Sequence, residues 1–151
     1  MKRFLIPLLA TIALPTVVNA NENNGKLLEY KKLIEEGYEI LNELILKEQK
    51  LKNPTYSKSR VKEFMEEFSV ALEKCNDAVE MIPEKKEGYF CKGLMLGFYH
   101  KYGREKQGLK EFTKAIKIDP EYLEAYYFRG ILGFSMERRS GSSIDGRAVS
   151  Y

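Results

Sequence analysis

The sequence contains few of the residues from which reactive centres are built. It has one histidine, His100, and two cysteines, Cys75 and Cys91. A metal site needs several His, Cys, Asp or Glu ligands that converge, and the sequence offers no such cluster with ligand spacing. His100 lies near the end of a predicted helix, where interaction with the helix C-terminus accounts for it. We therefore predict no metal site, no cofactor and no catalytic residue, and expect that the protein is not an enzyme.

The sequence also lacks the two-residue alternation of apolar and polar side chains that marks a half-buried β-strand. Apolar residues recur instead at steps of three and four, which indicates amphipathic helices. A phosphate-binding loop of the usual kind follows a strand, so that site is excluded as well. The pattern predicts an all-α fold.

Long hydrophobic runs are scarce, and the longest lies at the N-terminus. It covers residues 4–18, about 15 residues, which is shorter than the roughly 20 that a membrane-spanning helix needs. Lys2 and Arg3 precede the run, and Val18-Asn19-Ala20 follows it as a signal-peptidase site. Residues 1–20 are therefore predicted to be a signal peptide, and the mature protein is expected in the periplasm or outside the cell. The alternative is an uncleaved anchor, which would be the only membrane contact.

Net charge is small once this leader is set aside. Loss of Lys2 and Arg3 lowers the formal net charge from +3 to +1. A nearly neutral domain has no net field to hold a polyanion, so we predict no nucleic-acid partner.

Helical patterning predicts five helices separated by short turns. Their approximate ranges are 26–50, 59–82, 87–101, 104–117 and 122–138, with Ser59 as the N-cap of the second. Residues 21–59 form the first long helix and a polar loop, and residues 139–151 have the composition of a flexible or truncated segment. Short connections make consecutive helices antiparallel neighbours.

A pattern of small residue, larger residue, small residue and proline occurs twice with the same offsets. Its two copies are Ala71, Cys75, Ala78 and Pro83, and then Gly108, Phe112, Ala115 and Pro120. The two prolines are 37 residues apart, and Gly93 and Gly130 each follow their proline by ten residues. This pattern resembles the tetratricopeptide repeat, whose unit is about 34 residues. The resemblance covers residues 60–138.

The resemblance implies antiparallel helix-turn-helix repeats stacked as a short right-handed solenoid. Five small residues would allow helix backbones to approach closely, with aromatic side chains between them. These small residues are Ala71, Gly93, Gly108, Ala115 and Gly130. These aromatic residues are Phe68, Tyr89, Phe112 and Tyr126. The third repeat is unfinished, because residues 147–151 resemble only the start of its second helix. Either self-association or a partner covers this end, or the sequence is truncated.

The resemblance also implies a binding groove lined by the first helix of each pair. The groove positions are Phe90, Leu94, Gly97, Phe98, Glu124, Tyr127, Ile131 and Phe134. Aromatic side chains on a rigid wall are typical anchors of a binding site, although some of these residues could instead belong to the core. The expected function is a scaffold for a protein or peptide partner. The alternatives are a self-associating solenoid, which would be a homo-oligomer, and an enzyme accessory subunit.

The two cysteines lie eight residues on either side of Pro83. In an antiparallel hairpin this places Cys75 and Cys91 at the same height on facing helices. An exported protein meets an oxidising compartment, where disulfides form. Helix rotation decides whether the Cβ atoms are close enough to bond, so a disulfide and two buried thiols both remain open.

Overall fold

The computed structural model describes residues 24–50, 58–98 and 104–148, the last ten of them by backbone alone. These residues form five helices and no strand, which confirms the predicted all-α class. The helices are α1 (Asn24–Gln49), α2 (Lys58–Met81), α3 (Lys86–Phe98), α4 (Glu105–Ile118) and α5 (Leu123–Ala148). The predicted leader, most of the first loop, His100 and the last three residues lie outside the described ranges.

Consecutive helices pack against each other in antiparallel pairs. Lys47 of α1 lies beside Glu67 of α2, and Glu36 of α1 lies beside Lys74 of α2. The two helices therefore run in opposite directions. Each helix also packs against the next one in sequence, and α3 in addition contacts α1 and α5. Few residues separate consecutive helices in the sequence, which favours this antiparallel arrangement.

The turn between α4 and α5 is held by one aspartate. The backbone N–H of Asp119 donates to the carbonyl oxygen of Ala115 and ends α4. The side chain of Asp119 accepts the N–H of Glu121 at 2.9 Å, and its carbonyl oxygen accepts the N–H of Tyr122 at 3.2 Å. Pro120 cannot donate to a continuing helix, so the chain turns here and α5 begins.

The α3 helix lies between two clusters of buried side chains. Cys91 and Met95 belong to the cluster formed with α1 and α2. Phe90 and Leu94 belong to the cluster formed with α4 and α5. Because adjacent residues of α3 face opposite clusters, the helix is buried on two sides and joins both halves of the protein.

Most of the predicted close-packing residues are buried. Ala71, Gly93, Gly108 and Ala115 all lie in the interior. A Cβ atom added at Gly108 would lie 2.9 Å from the backbone nitrogen of Gly97, so only glycine permits this approach of α4 to α3. Gly130, the fifth small residue of the pattern, is exposed instead.

Three sequence-based expectations about local structure are wrong. Ser59 is not an N-cap, because α2 already begins at Lys58. Tyr126 does not fill the interior, since 42% of it is exposed. The fifth helix continues ten residues past Arg138 to Ala148, so Arg147 extends it rather than opening a new helix. The predicted end at Arg138 rested on the serine and glycine residues that follow it. Serine and glycine lower helix propensity only modestly, so their presence did not end the helix.

Candidate functional site

The outer side of α5 carries exposed aromatic and apolar side chains. We call this surface the α5 face, and define it by Leu123, Tyr126, Tyr127, Gly130 and Phe134. Leu123 is 75% exposed, Tyr127 53% and Phe134 63%. No atom lies within 4 Å of the position that a Cβ atom would occupy at Gly130. Contiguous exposed apolar surface of this kind marks interaction sites.

The 37-residue repeat relates the α5 face to a surface of α3 that is covered. Gly130 corresponds to Gly93, and Tyr127 corresponds to Phe90. A Cβ atom at Gly93 would lie 2.7 Å from the ring of Phe112, which belongs to α4. This side of α3 thus packs against the next helix, α4, whereas no described helix covers the equivalent side of α5.

The residues predicted to line a groove separate into two groups. On α3, Phe90 and Leu94 are buried in the core, so the expectation that they line an open groove is wrong. Phe90 is enclosed by the rings of Phe112, Tyr122 and Phe128, at centroid distances of 5.7, 5.1 and 5.6 Å. Gly97 packs against Leu132 of α5. These residues hold α3, α4 and α5 together, and the side chains of Phe90 and Leu94 are enclosed in the core.

The predicted groove residues of α5 are accessible. Glu124, Tyr127 and Phe134 are exposed, and Ile131 is half-buried at the edge of the α5 face. The side chain of Phe98 lies outside the described part of the chain. Leu123 and Gly130 were not predicted to belong to the exposed surface. No sequence signal identifies them, because Gly130 shares its place in the pattern with the covered Gly93, and exposure depends on which helices pack against α5.

The side of α5 opposite the α5 face packs against the rest of the protein, and the turn before α5 is also held in place. The ammonium group of Lys86, at the start of α3, bonds to the carboxylate of Asp119 and lies 4.3 Å from the ring centroid of Tyr122. Its hydrogen bond to Asp119 lowers the pKa of that carboxyl group, which favours the ionised carboxylate. Phe128 packs between α3 and α4. These contacts hold the buried side of α5 against α3 and α4, which leaves its outer side exposed.

Charged groups border the α5 face. The guanidinium group of Arg138 lies 5.8 Å from the ring centroid of Phe134, and that of Arg129 lies 5.1 Å from the ring centroid of Tyr126. Glu124 is exposed at the other end of the face. An apolar centre with charges at its rim is the usual anatomy of a protein interface.

The two cysteines are joined by a disulfide between α2 and α3. The Cα atoms of Cys75 and Cys91 are 5.6 Å apart, and both residues are fully buried. Gly37 of α1 lies against this bond, since a Cβ atom there would be 3.3 Å from one sulfur and 3.4 Å from the other. The disulfide thus lies in the cluster shared by α1, α2 and α3, where it has a structural role.

Two tyrosines of α1, Tyr30 and Tyr38, have raised pKa values. The hydroxyl of Tyr30 accepts the backbone N–H of Gly88 at 2.8 Å and lies 3.5 Å from the carboxylate of Glu87. Burial raises the pKa of Tyr30 and of Tyr38. The hydroxyl of Tyr30 links α1 to α3 by hydrogen bonding, and the partly buried Tyr38 packs against both clusters of buried side chains.

A depression lies on the surface between the end of α1 and the start of α2. Lys47 and Arg60 line it together with Glu63, Glu67 and Phe64. Lys47 donates to both carboxylate oxygens of Glu67 at 2.7 Å. Opposite charges balance each other among the residues that line the depression. The α5 face is the stronger candidate.

The described residues form neither a candidate metal site nor a membrane-spanning helix. Within residues 24–50, 58–98 and 104–148, no group of three or more His, Cys, Asp or Glu side chains could hold a metal ion. None of the described helices combines the length and the apolar character needed to cross a bilayer.

No protein-family model matches the chain, and a comparison with curated proteins finds no match.

Proposed function

We propose that the protein is a tetratricopeptide-like helical-repeat scaffold that binds a protein partner through the α5 face. One observation carries the proposal. The equivalent surface of α3 is covered by a packed helix, whereas the α5 face is exposed while keeping the same pattern of glycine and aromatic residues. The α5 face is therefore shaped to receive a helix.

The chemistry of the face indicates what the partner brings. Gly130 allows a helix backbone to approach closely, and Tyr127 and Phe134 provide anchors on either side of it. Aromatic anchors of this kind dominate binding energy when a partner desolvates them. The partner segment is thus an amphipathic helix with apolar side chains, a mode of recognition that many grooves use.

Site-specific photo-crosslinking tests this proposal. With a benzophenone amino acid in place of Tyr127, we expect a covalent product with a protein in the cells that make the chain. Leu28 of α1 is 70% exposed and provides a control position for the same probe. The added substitution Phe134→Arg should reduce the yield at position 127 at least tenfold, as expected for loss of a hot-spot residue.

The proposal fails if position 127 gives no product, or if positions 127 and 28 give the same products. It also fails if Phe134→Arg leaves the yield unchanged. Because Phe134 is 63% exposed, its replacement should leave the fold intact, and an unchanged circular dichroism spectrum would verify this.

We further propose that the scaffold acts in the periplasm or outside the cell. Residues 1–20 have the composition of a signal peptide, and a buried disulfide joins α2 to α3. Structural disulfides persist in oxidising compartments and are rare in the cytosol. Intact-mass analysis of the protein from its native cells should give a chain that starts at Asn21. A cytoplasmic chain that retains Met1 would contradict export.

A further inference from the structure

We propose that the partner of the α5 face is a second copy of the same chain, bound so that the two α5 helices lie antiparallel across a two-fold axis at Gly130. This inference rests on the proposed function of the face and names its occupant. Two-fold dimers require a self-complementary surface, in which each residue meets a suitable counterpart on the other copy. The α5 face has this property in its aromatic residues, in its glycine and in the charges along one edge.

The charges are complementary across the two-fold axis. Glu124, Ile131 and Arg138 are spaced seven residues apart and therefore share one edge of α5. In an antiparallel pair the same edge of each helix meets its counterpart in reverse order. With the axis at residues 130 and 131, Glu124 of each copy lies opposite Arg138 of the other, twice per dimer. A parallel two-fold pair would instead bring this edge against the other edge of the second α5, so the match between Glu124 and Arg138 would be lost.

The aromatic residues have the same centre. The midpoint between Tyr127 and Phe134 also falls at residues 130 and 131. Each tyrosine ring thus lies opposite a phenylalanine ring of the second copy. At the centre is Gly130, which has no atom within 4 Å of its Cβ position. A small residue at the crossing point lets two helix backbones approach closely, as Gly108 does where α4 crosses α3.

Head-to-tail stacking is less favourable, because it would place the α5 face on the outer side of α1. The exposed residues of α1 are mostly charged, and Leu28 and Leu46 are its only large apolar residues with high exposure among those described. Burying unpaired charges against aromatic rings is unfavourable. The two-fold arrangement joins apolar surface to apolar surface and closes the assembly at two copies.

Charge reversal tests the pairing in solution. Light scattering on a sizing column should show that the purified protein is a dimer that dissociates on dilution. Glu124→Arg alone and Arg138→Glu alone should each weaken the dimer at least tenfold, because both charge pairs become repulsive. An equimolar mixture of the two variants should restore the dimer, since every pair across that interface is again opposite in charge. Rescue by mixing cannot come from a folding defect.

Substitution of glycine tests the crossing point. Gly130→Leu should abolish the dimer, whereas Gly25→Leu, at a glycine that also has no neighbour within 4 Å, should leave it unchanged. The inference is overturned if the protein is monomeric at every concentration, if the dimer survives both single charge reversals, or if mixing does not restore it.

The mass of the photo-crosslinked product separates this inference from the proposed function. A product at twice the chain mass from position 127 supports the second copy. If the product instead contains a different protein and the purified chain is monomeric, the two-fold pairing is wrong and the scaffold function stands. If position 127 gives no product, both are wrong.

Discussion

Removal of the Cys75–Cys91 disulfide is expected to lower the free energy of unfolding by about 3 kcal/mol. The bond closes a loop with a sequence separation of 16 residues, and cross-linking a loop of that size restricts the unfolded chain by about this amount. The substitution Cys75→Ala together with Cys91→Ala removes the bond without leaving a buried thiol. Urea unfolding, followed by circular dichroism, should therefore show a lower midpoint for the double variant.

Reduction provides the control for this experiment. A phosphine reductant should lower the midpoint of the natural protein toward that of the double variant, and it should not change the double variant itself. If the natural protein does not respond to reductant under unfolding conditions, the cysteines are not bonded and the structural role of the disulfide is wrong. A loss much larger than about 3 kcal/mol would indicate that packing around Gly37 collapses as well.

The same substitution at two equivalent glycines is expected to have opposite effects. Gly93→Ala should destabilise the protein by about 1–3 kcal/mol, because the new methyl group would overlap the ring of Phe112. That ring is buried and enclosed by Phe90 and Phe128, so it cannot move aside. Gly130→Ala should instead stabilise the protein by up to about 1 kcal/mol, because alanine favours the helix and meets nothing there.

Urea unfolding in dilute solution, where copies of the chain do not associate, measures both effects. The double variant Gly93→Ala, Phe112→Leu should be more stable than the sum of the two single changes predicts, because the smaller side chain makes room for the methyl group. Additive effects would show that Gly93 and Phe112 do not compete for the same space. A destabilising Gly130→Ala would mean that the α5 face is already covered within one chain.

The positions of the small residues illustrate how far sequence reasoning extends. Their repetition and the helical periodicity predicted the all-α class and four of the five close-packing positions. Gly130 was assigned to the same role because it occupies the same place in the pattern. Whether a neighbouring helix lies against that place depends on the rest of the chain, and no local pattern contains this information.

The predicted groove residues also show which properties the sequence predicts and which depend on the tertiary structure. The sequence identified Tyr127 and Phe134 as members of a binding surface, and it assigned Phe90 and Leu94 to that surface as well. The repeat register makes Phe90 and Tyr127 equivalent, but α4 and α5 enclose the first and no described helix encloses the second. Burial depends on which elements follow a helix in space, so equivalent residues acquired different roles.

By itself the sequence determined that the fold is helical, that Pro83 and Pro120 follow helix ends and that Gly93 and Gly108 allow close approach, because these depend on local periodicity and backbone chemistry. The tertiary structure alone decided that Cys75 and Cys91 are close enough to bond, that α3 is buried on two sides, and that the aromatic side of α5 faces outward. These properties depend on the rotation of each helix about its axis, which is fixed only when all the helices pack together.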